Sequence, residues 1–305
     1  MINILEKNYI LNGGLACVQT LIGSCLGALY FNYQDSQSLP TPRSEHKGIM
    51  INETGLVHLI PFYCNKIKFN MIMCPAAPEK KGNKEMPFML GETEVTQELF
   101  QSVMGFNHSE YKGLKKPVEF VTWYDCVEFC NRLSDYFGLG YYYKITNKEL
   151  SQKYHLSIRN AKVEYIPNAN GFRLPFQNER ESAAKAGTEN EYPGTASKEE
   201  LHRTAWIRGE EVNPLANTQP VAQKLPNEWG FYDMSGNVSE WANDDLSENY
   251  SKIAIERKEF KRRISSGNIF HDAWQNRSIS YNDVPHDQMS STTGFRVART
   301  IIQSN

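Results

Sequence analysis

Residues 230–241 read Gly230-Phe231-Tyr232-Asp233-Met234-Ser235-Gly236-Asn237-Val238-Ser239-Glu240-Trp241, and their order constrains the backbone tightly. Gly236 permits a tight turn, Asn237 can close it with a side-chain hydrogen bond, and Trp241 supplies a large anchor for burial. Asp233, Glu240 and the backbone carbonyls of Gly236 and Val238 offer hard oxygen ligands of the kind calcium takes. Two readings of these oxygens stand open: a structural calcium ion, or carboxylates bonded to loop amides.

The rest of the 305-residue chain must supply the frame that buries this block. With 33 basic and 35 acidic residues evenly mixed and a net charge of −2, it has no broad positive field, which argues against nucleic acid as a partner. Aromatics at 12% and hydrophobics at 40% describe an ordered globular protein. The six cysteines end at Cys130 and form no CxxC pair, so a zinc-thiolate site is not expected. Cys126 and Cys130, four apart in a helix-like segment, read as buried free thiols.

The first 48 residues divide into a leader and a linker. An apolar stretch from Leu15 to Tyr33 follows Lys7 and suits an export signal. Within it Ile22-Gly23-Ser24-Cys25 is similar to a bacterial lipobox. That makes Cys25 the candidate lipidation site, with a lipid anchor as partner and the bacterial cell surface, as an outer-membrane lipoprotein, as the location. The other open reading is an N-terminal element packed on the domain. Residues 34–48, polar with two prolines, read as a linker, and the folded domain is expected over 49–305.

Within that domain, Leu56–Ile60 and the alternating run Lys66–Met73 read as strands. A helix is expected at about 96–104, capped by Thr96 and ended by Gly105. A second runs from Trp123 to about Phe137, with Thr122 as N-cap and Asp125 in the first turn. A third, from Asn178 to Ala186, is closed by Gly187. The remainder, rich in Trp, Gly, Asn and Pro, reads as loops and short strands, with no internal repeat.

Five blocks carry a resemblance: Gly91–Gln97 (GETEVTQ), Pro117–Asp125 (PVEFVTWYD), Gly171–Pro175 (GFRLP), the opening block Gly230–Trp241, and Gly294–Val297 (GFRV). In this order, over about residues 66–300, they resemble the formylglycine-generating, sulfatase-modifying enzyme family. The resemblance implies an α+β, C-type-lectin-like fold, with a small twisted antiparallel sheet, two main helices and many ordered loops. It also implies that Gly294-Phe295-Arg296 closes the domain as a final strand, Phe295 in the core and Arg296 bonded to carbonyls or carboxylates. The calcium set Asp233, Gly236, Val238 and Glu240 matches a segment that can hold the ion in family enzymes.

The departures bear on function. The family carries an aromatic where this chain has Arg180. Its enzymes oxidise a substrate cysteine with two copper-binding cysteines near the C-terminal end, whereas this chain has no cysteine after Cys130. Without thiolates there is no soft copper site and no thiol to exchange with substrate. The related ergothioneine-type synthases hold iron with histidines of an additional domain, and His46 and His58 cannot build that site. His108, His155, His202, His271 and His286 show no metal-ligand spacing, and no GxSxG elbow points to a serine hydrolase.

The segment from Arg262 to Thr293 replaces the family's catalytic region. Forty-six lysines and glutamates precede Arg262 and none follows it, although at the chain's own frequency about eight would be expected. This bias resembles that of the variable proteins of diversity-generating retroelements, treponemal ones in particular. There a template repeat is copied with mutation at adenines, and asparagine codons scatter to many residues but never to Lys or Glu. The candidate ligand-binding residues are then Ile264, Ile269, Phe270, His271, Asp272, Trp274, Ser278, Ser280, Asn282, Asp283, Val284, His286, Ser290, Ser291 and Thr292. Gly267 and Arg277 keep the family pattern beneath them. Phe270, Trp274 and Tyr281 offer rigid aromatic area, and the short polar residues adaptable hydrogen bonds. For Trp274 a core position is the open alternative.

The function expected is therefore a non-enzymatic, receptor-like variable protein that takes a protein or glycan ligand, requires no cofactor and tolerates a structural calcium. The competing expectation is an enzyme of the sulfatase-modifying group with different chemistry.

Overall fold

A computed structural model of the chain describes side chains over residues 59–75, 86–208, 217–244, 261–265 and 267–301, and backbone strands also at 4–11, 14–21, 28–33, 48–52, 55–58, 245 and 302–303. Cys25 and residues 34–47, the candidate lipidation site and most of the expected linker, lie outside the described residues. Around them β1 (Ile4–Leu11), β2 (Gly14–Leu21) and β3 (Ala28–Tyr33) pair antiparallel, and β1 also pairs with the last strand, β16 (Ile302–Gln303).

The main sheet has six strands. Four come early: β4 (Gly48–Asn52), β5 (Gly55–Cys64), β6 (Ile67–Cys74) and β7 (Phe88–Gly91). Two come later, β10 (Phe172–Arg173) and β15 (Ala298–Thr300), and the order is β10-β15-β7-β6-β5-β4. The alternation at 66–73 does what period-two patterning predicts, because successive side chains leave opposite faces of the pleat. Met71, Met73 and Met89 enter the main core, while Ile72, Cys74, Phe88, Leu90 and Ala298 enter a second cluster behind the sheet.

Helices cover both faces. On the main-core side lie α1 (Gln97–Met104) and α2 (Trp123–Tyr136). The Thr96 hydroxyl accepts from the Leu99 amide and Gly105 ends α1 in the left-handed region at φ 82°. In α2 the Asp125 amide donates to Thr122 Oγ1 at 3.0 Å and the Thr122 amide to Asp125 Oδ2 at 3.1 Å, a reciprocal cap worth about 1 kcal/mol. Cys126, Cys130 and Leu133 face inward, the cysteines as buried free thiols. Phe100 stacks on Phe129 at 5.6 Å and both meet Phe295 edge-on.

Behind the sheet, α3 (Gln177–Lys185) packs Ala183 and Ala184 against Phe231 and Met234 of the opening block. It starts one residue before expectation, and Ala186, at φ 49°, takes the left-handed cap before Gly187 does. A ribbon of β8 (Tyr143–Leu150) and β9 (Ile158–Tyr165) leaves the body after α2. A second sheet joins β11 (Ser239–Asp245), β12 (Lys261–Ser265), β13 (Tyr281–Pro285) and β14 (Thr293–Gly294) in the order β13-β12-β11-β14.

The final Gly-Phe-Arg block differs from expectation. Gly294 ends a two-residue strand parallel to β11, and the strand that closes the main sheet is Ala298–Thr300. Gly294 must approach the Val118 carbonyl so closely that a Cβ would stand 2.3 Å from its oxygen. That approach sends Phe295 into the core before the chain turns into the sheet.

Candidate ligand-binding surface

The opening block is a buried staple, and its charge is settled internally. Glu240 accepts two hydrogen bonds from Arg296, at 2.7 and 2.8 Å, and two from Arg180, at 3.0 and 3.1 Å, all three groups being buried. Arg296 also donates to the carbonyls of Gly91 and Tyr232, and Arg180 to that of Met234. Burial would push the Glu240 carboxyl up, but the two guanidiniums hold it down at about 2. Arg180, the departure from the family's aromatic, thus supplies the second cation of a buried ion triad.

This arrangement bears on the calcium reading. Both Glu240 oxygens point at guanidiniums, whose positive charge would repel a dication. One Asp233 oxygen accepts from the Ala222 amide at 2.8 Å and the other is buried without a partner, but Glu240 has no oxygen left for the ion. Nor does Asn237 close its own turn. Its side chain accepts from the Gln219 amide and donates to Glu94, tying three loops together. The close approach belongs to Gly236, at φ 77°, where a Cβ would stand 2.1 Å from the Trp206 carbonyl oxygen. Trp241 is buried as expected and donates to the Val121 carbonyl.

The segment from Arg262 to Thr293 lies across this staple and divides by burial. Three expected contact residues are interior. Ile264 sits in the main core, Ile269 is buried with its amide on the Asn237 carbonyl, and Ser278 is buried with its amide and hydroxyl on the Glu191 carbonyl. Val284 is half-buried against the main core. The three interior positions hold the segment down and offer no surface to a ligand.

Two buried asparagines that sequence reasoning passed over do the same work. Asn268 accepts from the Phe270 amide and donates to Ser239 Oγ, while Asn276 donates to the His271 and Asp272 carbonyls. Gly267, at φ 105°, leaves room for Asn276, whose Oδ1 would lie 2.5 Å from an added Cβ. Arg277 anchors outward on Glu191 at 2.6 Å.

What remains faces solvent. Phe270, Asp272, Asn282 and Asp283 are exposed, and Trp274 is 61% exposed on a short 3-10 turn (273–276), which settles the open question about it. Tyr281 and Ile279 join them at 47% and 58%. The aromatic ring of Tyr281 points to contact area from sequence alone, whereas nothing in the sequence pattern marks Ile279 as exposed. Of the twelve large hydrophobic side chains exposed among the described residues, four, Phe270, Trp274, Ile279 and Tyr281, fall within 270–281. Arg263 on β12 fixes part of this face, its guanidinium 3.9 Å above the Tyr281 ring and 3.2 Å from Asp283.

The other expected residues are half-buried. Ser280 is one, and Ser290, Ser291 and Thr292 form a turn in which the Ser290 and Thr292 hydroxyls bond at 2.8 Å and the Ser290 carbonyl receives the Phe120 amide. His271 and His286 lie at the two ends of the face. Burial holds both imidazoles below the ordinary histidine range, outweighing Asp272 beside one and Asp287 beside the other. Both are therefore neutral at pH 7.

No described thiol is placed to react as a thiolate. Cys64, Cys74, Cys126 and Cys130 are all buried, and burial raises each thiol well out of the range where a thiolate forms. No cluster of three or more metal-ligating side chains occurs among the described residues, and no described helix is long and apolar enough to cross a membrane.

Comparison with known proteins agrees with this frame. Residues 61–301 match the sulfatase-modifying factor enzyme 1-like domain. The chaperone protein LppX of Paenibacillus barcinonensis is 35% identical over 233 residues, spanning 70% of this chain and 80% of that protein. Among solved structures, Treponema denticola variable protein 1 aligns with a TM-score of 0.66 at 28% identity, covering 79% of this chain and 98% of that one. CarF (TM-score 0.55, 24% identity, 81% of this chain and 97% of its own) and PvdO from Pseudomonas aeruginosa (0.52, 17%, 79% and 97%) have the same fold.

Proposed function

The chain belongs to the sulfatase-modifying factor enzyme 1-like domain family, and from that premise we propose that it is a non-catalytic binding protein of the bacterial cell surface. Its face around residues 270–283 takes a protein or glycan ligand, needs no cofactor, and varies between copies of the protein. The observation that carries this reading is the concentration of exposed Phe270, Trp274, Ile279 and Tyr281 on a segment whose buried residues bond to the staple, Asn268 to Ser239, Ile269 to Asn237 and Asn276 to Ser235. Soluble proteins rarely leave such area uncovered without a use for it. Rigid aromatics on a fixed backbone lose little entropy on binding.

Two further points support it. The 28% identical Treponema structure is that of a variable protein, and the exposed Phe270, Asp272, Asn282 and Asp283 belong to the residue set that adenine-directed copying of asparagine codons reaches. The absence of cysteine beyond Cys130 and the burial of the four described thiols argue against the family's oxidation.

The test is a graft. Replacing the exposed positions of 270–283 with those of a sibling copy, while keeping Gly267, Asn268, Ile269, Asn276 and Ser278, should transfer the sibling's ligand preference and leave the melting temperature unchanged. Unaltered ligand preference in the graft would overturn the proposal, as would oxidation of a cysteine-containing sulfatase peptide by the purified protein.

A further inference from the structure

Beside the exposed face, where the chain leaves β13, a groove of about 540 Å³ runs between the β8–β9 ribbon and residues 286–287. Its volume is within the range of small-ligand sites, but its walls are polar: Asn147, Glu149, Arg159, Asn160, Lys162 and Asp287 line it beside His286. The ribbon is shaped for this. The β8–β9 register slips between Thr146 and Glu149, and Asn147 sits in the left-handed region at φ 53°. Irregularities of this kind re-aim side chains beside functional sites. The floor is fixed, since the Tyr124 hydroxyl donates to Asn160 and its ring meets His286 edge-on at 4.9 Å.

The charges along the walls are not equivalent. Lys162 is held by Glu164 at 2.6 Å, and Glu149 accepts from the Asn160 amide. Arg159 is exposed and has no carboxylate partner among the described residues. A guanidinium in that state matches a ligand carboxylate through two parallel hydrogen bonds. The two asparagine amides and the Glu149 and Asp287 carboxylates supply donors and acceptors suited to neighbouring hydroxyls. An apolar ligand would leave these groups unsatisfied.

We propose that the groove is a subsite for an acidic saccharide, its carboxylate on Arg159 and its hydroxyls shared among Asn147, Asn160, Glu149 and Asp287. The inference rests on the binding function proposed above, because His286 and Asp287 lie in or beside the same segment. Six of the eight wall residues come from the ribbon and do not belong to that segment, so a ligand held here would keep a common acidic sugar while the face around 270–283 selects what surrounds it.

The experiment titrates the purified full chain by calorimetry with 3′-sialyllactose, an oligogalacturonate, lactose, and a glutamate-rich peptide. At least one acidic saccharide should bind ten-fold or more tightly than lactose. Arg159→Gln should reduce that affinity to the level of lactose without moving the melting temperature, Arg159 being exposed, and Arg159→Lys should recover it only in part. Binding of neither acidic saccharide, equal binding of lactose, tighter binding of the peptide, or indifference to Arg159→Gln would overturn the subsite. If the graft transfers ligand preference while Arg159→Gln changes nothing, the subsite fails and the binding face stands.

Discussion

Glu240 is the residue on which the interior charge balance turns, since it alone among the described residues pairs with both Arg180 and Arg296. Replacing it by Gln removes the carboxylate hydrogen-bonded to two buried guanidiniums, and removing one partner of a buried pair costs about 3–5 kcal/mol. Urea denaturation of Glu240→Gln should show that loss. The sign of its pH dependence follows from a carboxyl held at about 2: the stabilisation is present above the ordinary glutamate value and is lost as pH falls toward 2. Glu119 behaves in the opposite way. One of its oxygens accepts from the Tyr111 amide, the other is buried without a partner, and burial raises its carboxyl to about 7. The folded state therefore holds this proton longer than the unfolded one, and stability falls as pH rises from about 4.5 to 7. Melting curves of Glu119→Gln over that window should be flatter, by on the order of 1–3 kcal/mol. Neither role could be read from the chain. An arginine where an aromatic was expected announces a local difference, but only the fold brings residue 180 to residue 240.

At the scale of elements, local signals were strong where one turn decides the outcome. The caps at Thr96, Thr122 and Gly105 and the period of β6 follow from nearest neighbours, and the structure has them as the sequence implies. The segment after Lys261 was harder, because its composition marks a surface without saying which positions face outward. Short stretches without helical or strand period take their burial from distant loops, here Ser278 from Glu191 and Ile269 from Asn237. This division can be checked. Trp274→Ala and Tyr281→Ala should each leave stability within about 0.5 kcal/mol, as exposed substitutions do, and weaken ligand binding by ten-fold or more, as aromatic anchors do. Gly236→Ala should do the reverse. A Cβ 2.1 Å from the Trp206 carbonyl oxygen, on backbone already at positive φ, should cost about 2–3 kcal/mol in thermal denaturation.

Across the whole molecule, the two cores on either side of the main sheet were foreshadowed by the five motif blocks, which contribute Phe172, Phe231, Trp241 and Phe295 to them. The ribbon and its groove were not, since nothing in Tyr143–Tyr165 is periodic enough to reveal which side chains share a wall. The same sheet bears on how a diversified surface would be kept sound. Strand β15, encoded after the segment, fills the interior place between β10 and β7, while β14 beside it pins the chain to β11. A copying error that introduced a stop or shifted the reading frame within the segment would omit both strands and leave the main sheet split. Such products could not complete their core and would be open to proteolysis. The fold would thus proofread such variation, because only segments translated through to their end would produce a folded molecule.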